Sequence, residues 1–494
     1  MKALIILLIF IFPLLSAGET IKTVTLPLAD DPIVSIRLAF NTGSMYDPQG
    51  RNGLSSLTAS LIAEGATKAN AYDAILKKLY PLAAYYSIQC DREYTTFYGQ
   101  CHRDNLERFY QLFREAILEP AFNNDDFNRL KMQQLNYIKN TLRYSSDEEL
   151  GKAVFKSFVY QGTAYEKNIT GKVSDLEKIT LDDVKEFYRT NFTSDRLIAG
   201  ISGNYPDQFP AKLQADFQAL SRNHDQTGME VFPKDPQGLQ FLLVEKKTES
   251  TGIHIGFPIN VMRGKEDFYA LFLFNSWFGE HRNSSSHLYQ VIREKRGFNY
   301  GDYSYIEDFP LGGWRSFPPT NVYKKPQLFE IWIRPVSNEY RLFVLRAALR
   351  ELHAAITEGL TKEQFELTKK FLAKYSLHYA ATSMERLGYK IDDLIFGFKD
   401  NYLDNFKKNI ESLTLEQVNN AIRKHLQDTN LKIVMITQDA AKLQEQLLAN
   451  SPSPITYQSP KPDEIIREDK QIAVFHLKVK KENIKIIAVE KVFE

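Results

Sequence analysis

Ile179-Thr-Leu-Asp-Asp-Val184 and Leu413-Thr-Leu-Glu-Gln-Val418 are one pattern written twice, 234 positions apart. In both copies a threonine suits the N-cap of a helix. An Asp or Gln three residues on can return a hydrogen bond, as in a capping box. About a dozen residues of helical periodicity follow each copy. Each then runs into an apolar, strand-like stretch, Leu197–Ser202 in the first and Leu431–Ile436 in the second. A second pair lies upstream. Asp125-Asp-Phe127 opens a helical pattern through Leu130, Leu135 and Ile138. Glu363-Gln-Phe365 opens its counterpart through Leu367, Phe371 and Leu372, 238 positions later. Like elements in the same order at nearly the same offset imply two homologous halves.

Outward from these repeats, each half starts with strands: Ile33–Phe40 in the first, Phe241–Glu245 and Gly252–Gly256 in the second. A helix, a hairpin, more helices and a final strand follow. That order is α+β, with helices on one face of a mixed, mostly antiparallel sheet, twice over. The expected domains span residues 19–223 and 239–445. A linker at 224–238, carrying Pro233 and Pro236, joins them. Residues 446–494 form an extension, rich in Ser and Pro over Ser451–Pro462. Its strand-like runs, Ile472–Val479 and Ile484–Val489, are expected to fold back on the body.

With 43% hydrophobic residues in a chain of 494, each domain can bury a full core without staples. The formal net charge of +1 gives a nucleic-acid partner no electrostatic footing. At the N-terminus, Lys2 precedes an apolar run from Ala3 to Leu15 and the small residues Ser16, Ala17 and Gly18. This reads as a signal peptide over residues 1–18, cleaved after Ala17 or Gly18. The run is short for a membrane span, and no later stretch resembles one. A periplasmic or secreted protein is expected. The two cysteines, Cys90 and Cys101, fall on a hairpin of Tyr85–Asp91 and Tyr94–His102 that turns near Arg92–Glu93. Cys90 lies near the turn and Cys101 near the far end. At about 3.3 Å per residue they are too far apart for a disulfide.

The most specific motif is Ser284-Ser-Ser-His-Leu-Tyr-Gln-Val-Ile-Arg-Glu-Lys-Arg-Gly-Phe-Asn-Tyr300. It resembles the C-terminal-domain signature of the M16 metallopeptidases, the pitrilysin, insulin-degrading and mitochondrial-processing peptidases. Gly43–Ala66 resembles the stretch that carries the family's active-site helix, and Leu118–Phe122 the link into its next long helix. The resemblance runs from about residue 21 to 445. It implies two α/β-sandwich domains closing as a clamshell. In the family that helix carries His-x-x-Glu-His: two histidines one turn apart chelate zinc and the glutamate activates water. Placing Gly53 and Gly65 on the family's flanking glycines puts Ser56, Ala59 and Ser60 at those positions. The further Glu ligand falls near Tyr137. None of the four can do the family's job.

Elsewhere the nine histidines offer no helical chelate, since the closest pair, His281 and His287, is six residues apart. Each is expected to be a surface or hydrogen-bonded residue. By resemblance, Arg293 and Tyr300 match the Arg and Tyr that hold the substrate carbonyl and stabilise its oxyanion. Spacing alone favours Ile292–Arg296 as a solvated, charged helix and Tyr300 as a strand aromatic, and the resemblance reverses that preference. The resemblance implies no cofactor in this chain and zinc in a partner. The expectation is the non-catalytic subunit of a periplasmic peptidase heterodimer, paired with a zinc-bearing M16 subunit. It would close the chamber on peptide substrates and lend Arg293 and Tyr300. The alternative is a non-enzymatic peptide-binding or structural protein of the same fold.

Overall fold

The structure is a computed structural model, which describes residues 21–223, 229–307, 309, 318–375 and 378–494. The expected signal peptide and residues 224–228 of the expected linker lie outside the described residues. The strands are β1 (Lys22–Pro27), β2 (Ile33–Phe40), β3 (Tyr85–Cys90), β4 (Thr95–His102), β5 (Leu197–Gly203), β6 (Leu239–Glu245), β7 (Ser250–Ile259), β8 (Asp302–Tyr305), β9 (Gln327–Ser337), β10 (Leu431–Thr437) and β11 (Val479–Ala488).

The first sheet has the order β1-β5-β2-β4-β3; the second, β11-β6-β10-β7-β9-β8. With β11 set aside, the two orders are the same topology. In both, the last strand of the half pairs in parallel with the first and antiparallel to the second. Thr180 and Thr414 each close a capping box, with Asp183 and Gln417, on the helices Leu181–Asn191 and Leu415–His425. The duplication seen in the sequence is therefore a duplication of fold. β1 was not foreseen: it is an exposed edge strand of alternating Thr and apolar residues, with no apolar run to mark it. β3 and β4 form the expected hairpin, Cys90 pairs with Thr95, and both cysteines are free.

One face of each sheet carries helices of its own half. Val34, Ile36, Leu38 and Phe40 of β2 point into the first core, and Ile253, Ile255, Phe257 and Ile259 of β7 into the second. Alternation with period two then leaves an opposite face to cover. Each half covers the other's. Helix Asp147–Val159 packs on β7 and β10 of the second sheet, and helix Ser383–Phe396 on β5, β2 and β1 of the first. Leu150, Val154, Phe155 and Val159 join Val434 and Ile436 in one cluster, and Leu387 and Ile391 join Ala39 and Ile198 in another. Both approaches run through a glycine. A Cβ on Gly151 would lie 2.4 Å from His254 Nε2, and one on Gly200 would lie 2.9 Å from Ile391 Cδ1. β5 and β10, covered on both faces, are buried throughout. The halves thus close as a clamshell.

The extension folds back on the body as expected but differs from expectation in one element. Residues Asp463–Ala473 are a helix after Pro462, and the strand begins at Val479. The apolar run from Ile472 to Val479 was read as a strand, but Ile465 and Ile472 lie two turns apart on one buried helical stripe. β11 adds to β6 in parallel. The following residues cross to the first half, where the Val492 carbonyl accepts from Arg143 Nε at 2.9 Å. Among the described residues no helix is long and apolar enough to cross a membrane.

Candidate functional site

The helix aligned with the family's active helix runs Leu54–Glu64 between Gly53, whose φ of 98° is left-handed, and Gly65. The buried Asp47 carboxylate accepts from the Gly53 and Ser55 backbone N–H groups at 2.7 Å each and so caps its first turn. Ala59 is buried, while Ser56 and Ser60 are half-buried. Downstream, helix Asn124–Asn136 gives way to a π-helical stretch, Tyr137–Ser145. Ser56 and Tyr137 line one cavity of about 380 Å³. Two of the four aligned positions are therefore brought together, while Ala59 and Ser60 are not among its lining residues.

The cavity is walled by Ile88, Gln89 and Cys90 of β3, the turn residues Asp91 and Arg92, the helix Asp147–Val159 and, from the second half, Val322. Lys152 and Lys156, one turn apart, are both 5% exposed. Lys152 bonds Glu149 at 2.9 Å and sits 4.1 Å above the Trp332 ring. Burial pushes the Lys156 ammonium down to about 8 and the Cys90 thiol up to about 12. It also lowers Arg92 and raises Tyr137 from their ordinary values. Arg92, Lys152 and Lys156 escaped the sequence reading. Arg92 sits in a turn where solvation is the default. The i, i+4 pair of lysines beside Leu150, Val154 and Phe155 was the one legible signal.

Zinc does not fit this arrangement. Ser56, Ala59, Ser60 and Tyr137 supply no imidazole, thiolate or carboxylate. Among the described residues no three His, Cys, Asp or Glu side chains gather as a metal site. Several histidines hold carboxylates instead, among them His254 with Glu330 at 2.8 Å and His425 with Asp267 at 2.7 Å. His281 bonds the Tyr305 hydroxyl at 2.7 Å and burial pushes it down to about 3, while His287 bonds Glu351 at 2.6 Å. Beside His281, Glu280 follows the C-terminus of helix Glu266–Gly279. Burial raises its carboxyl to about 7. A folded-state value above the ordinary 4.5 means that the folded chain holds this proton more tightly than the unfolded chain. Stability from this group falls as pH rises from about 4.5 to 7, by about 3 kcal/mol in all. Glu280→Gln should remove that slope. Urea titrations of both proteins at pH 5 and pH 8 test it, and parallel losses would refute it.

Arg293 and Tyr300 are not among the residues lining the cavity. Arg293 sits in a second π-helical stretch, Tyr289–Glu294. Of these two stretches, the only π-helical ones among the described residues, one begins at the aligned position Tyr137 and the other lies within the Ser284–Tyr300 motif. π-Helical turns recur at functional sites. Arg293 Nε is buried with no hydrogen-bond partner among the described residues. Nearby, burial holds the Asp302 carboxyl well above the usual range, with Arg293 and Arg334 pulling it down. Tyr300 precedes β8 and is 77% exposed, so it is no strand aromatic. The solvated-helix alternative for 292–296 holds for Glu294 and Lys295, which are exposed, and fails at Arg296. Arg296 is 4% exposed and holds Asp469 at 2.8 Å and Glu468 at 2.7 Å.

The family model described as insulinase (peptidase family M16) matches residues 23–171, and that described as peptidase M16 inactive domain matches residues 178–372. The chain belongs to the M16 peptidase family. It is a member without the zinc motif. It is 22% identical to an "uncharacterized zinc protease" of Bacillus subtilis (strain 168), across 79% of this chain and 90% of that one. It is 21% identical to a "non-peptidase homolog" of Helicobacter pylori (strain ATCC 700392 / 26695), across 82% and 89%. Among solved structures, the peptidase M16 inactive domain from Pseudomonas fluorescens superposes with a TM-score of 0.74 at 21% identity, covering 85% of this chain and 96% of that chain. A protease from Helicobacter pylori gives 0.71 at 15%, covering 85% and 99%. These structural likenesses establish the M16 fold.

Proposed function

We propose that this M16 chain is the zinc-free subunit of a two-chain peptidase, closing the chamber against a zinc-bearing M16 partner. The observation that carries this is the placement of Tyr300. It stands 77% exposed, and neither it nor Arg293 lines this chain's own cavity. An exposed tyrosine donor outside its own chain's cavity is available to another chain's site. The partner supplies zinc and the water-activating glutamate. Arg293 supplies a fixed charge, and Tyr300 a neutral donor, for the oxyanion of a peptide carbonyl. The apolar run Ala3–Leu15 supports a periplasmic site of action, which N-terminal sequencing of the mature protein tests at Ala17 and Gly18.

Arg293→Ala, co-purified with the zinc-bearing subunit, should slow peptide hydrolysis about 10²-fold while the complex elutes unchanged in size-exclusion chromatography. Undiminished turnover would sink the assignment. The second reading, a non-enzymatic peptide-binding or structural protein, is favoured by the "non-peptidase homolog" name of the Helicobacter relative. An assembled complex that contains no zinc and hydrolyses no peptide would select it.

A further inference from the structure

The turn that displays Tyr300 is braced from inside by one side chain. Tyr300 lies between Asn299, only 7% exposed, and Gly301. The Asn299 amide nitrogen donates toward three oxygens: the Gly301 carbonyl at 3.3 Å, Asp302 Oδ1 at 2.6 Å and the Arg334 carbonyl of β9 at 3.1 Å. Its amide oxygen accepts from the Gly301 backbone N–H at 3.3 Å. This set fixes which end of the amide is which, because a flipped amide would press an oxygen against three others. The Arg334 backbone N–H donates to the Gly301 carbonyl at 3.1 Å and ties the turn to β9 a second time.

The space under the turn is closed. A Cβ on Gly301 would lie 2.2 Å from the Tyr303 hydroxyl oxygen, and Tyr303 is buried in one cluster with Phe309 and Trp332. Asp302, which Asn299 holds, is also buried. Burial raises its carboxyl well above the usual range, against the pull of the Asn299 bond, Arg293 and Arg334. An exposed tyrosine aims its hydroxyl only as well as its backbone is held. A donor misplaced by about 1 Å can forfeit about 10²-fold in rate.

We propose that Asn299 is the positioning residue for Tyr300: its amide locks the 299–302 turn so that the tyrosine hydroxyl meets the oxyanion of a peptide held by the partner subunit. Asn299 itself touches no substrate. Its role rests on the two-chain reading given above, and the experiment separates failure of one from failure of the other.

The complex co-purified with the zinc-bearing subunit is assayed on an internally quenched fluorescent peptide in four forms: parent, Tyr300→Phe, Asn299→Ala and the double variant. Tyr300→Phe should lower kcat about 10²-fold. Asn299→Ala should lower kcat at least about tenfold with KM unchanged, because a misaimed donor is lost only from the transition state. In the Tyr300→Phe background the same change should cost less than about twofold, since no hydroxyl is left to aim. A residue that merely supports the fold would slow both backgrounds alike. Because Asn299→Ala risks misfolding, Gly301→Ala serves beside it. It displaces the same turn against Tyr303 and should be masked in the same way. In the purified chain, amide hydrogen exchange over residues 299–302 should quicken in Asn299→Ala. Full turnover by Tyr300→Phe overturns the two-chain reading and this role together. A slow Tyr300→Phe beside a fully active Asn299→Ala, an equal loss in both backgrounds, or unchanged exchange overturns the role of Asn299 alone.

Discussion

Truncating Phe155 to alanine is expected to destabilise the protein by about 3–5 kcal/mol. Phe155 belongs to the first half by sequence, yet it is fully buried against the second sheet. Its ring stacks on His254 of β7 with centroids 5.9 Å apart. Gly151, one turn earlier, leaves no slack, because His254 already fills the space where its Cβ would be. The helix cannot settle inward to fill the void, so the cost combines lost transfer energy with an uncollapsed cavity. Urea unfolding followed by tryptophan fluorescence should show the loss, with Leu367→Ala as control. Leu367 is 63% exposed, and its truncation should stay within about 0.5 kcal/mol. Equal effects at the two sites would contradict the crossed packing.

The second large effect is expected at Arg263. Its guanidinium, 5% exposed, holds Glu307 at 2.8 Å and Asp392 at 3.0 Å, beneath the rings of Tyr389, Phe396 and Tyr402. Asp392 accepts from the Asn321 backbone N–H at 2.8 Å, and Asn321 Oδ1 accepts from Arg37 on β2 at 2.6 Å. This chain of polar groups runs from the second half into the first. Arg263→Met strands two buried carboxylates and should cost about 3–5 kcal/mol. Burial already lifts the Asp392 carboxyl to about 6, with Arg263 pulling the other way. Without Arg263 it rises further above its unfolded value. The loss should then be greater at pH 8 than at pH 5. Adding Asp392→Asn and Glu307→Gln should recover most of it; no recovery would mean that the charges are not what the arginine serves.

Much of the fold was legible in the sequence, since its signals are local. Thr180 and Thr414 announce their helices by cap chemistry, and the alternation in Ile33–Phe40 sets which side chains enter the first core. Partner choice for the crossing helices was not legible. The stripe of Leu150, Val154, Phe155 and Val159 looks the same whichever sheet it covers, because the hydrophobic effect carries no address. Of the site, Ser56 and Tyr137 were found by alignment with the family's zinc-ligand positions. Arg92 was hidden because a charged residue at a hairpin turn is ordinarily solvated, and only tertiary packing buries it.

The exchange of helices also sets a timetable. Ile198 leaves the ribosome roughly 190 residues before Leu387, which will cover it. At about 5–20 residues per second, that face of the first sheet stays bare for about 10–40 s. Arg143 waits longer for the Val492 carbonyl, 349 positions downstream. Such distant contacts slow folding and lengthen exposure to aggregation. The nascent first half therefore keeps an apolar sheet face open to aggregation until its sister half arrives.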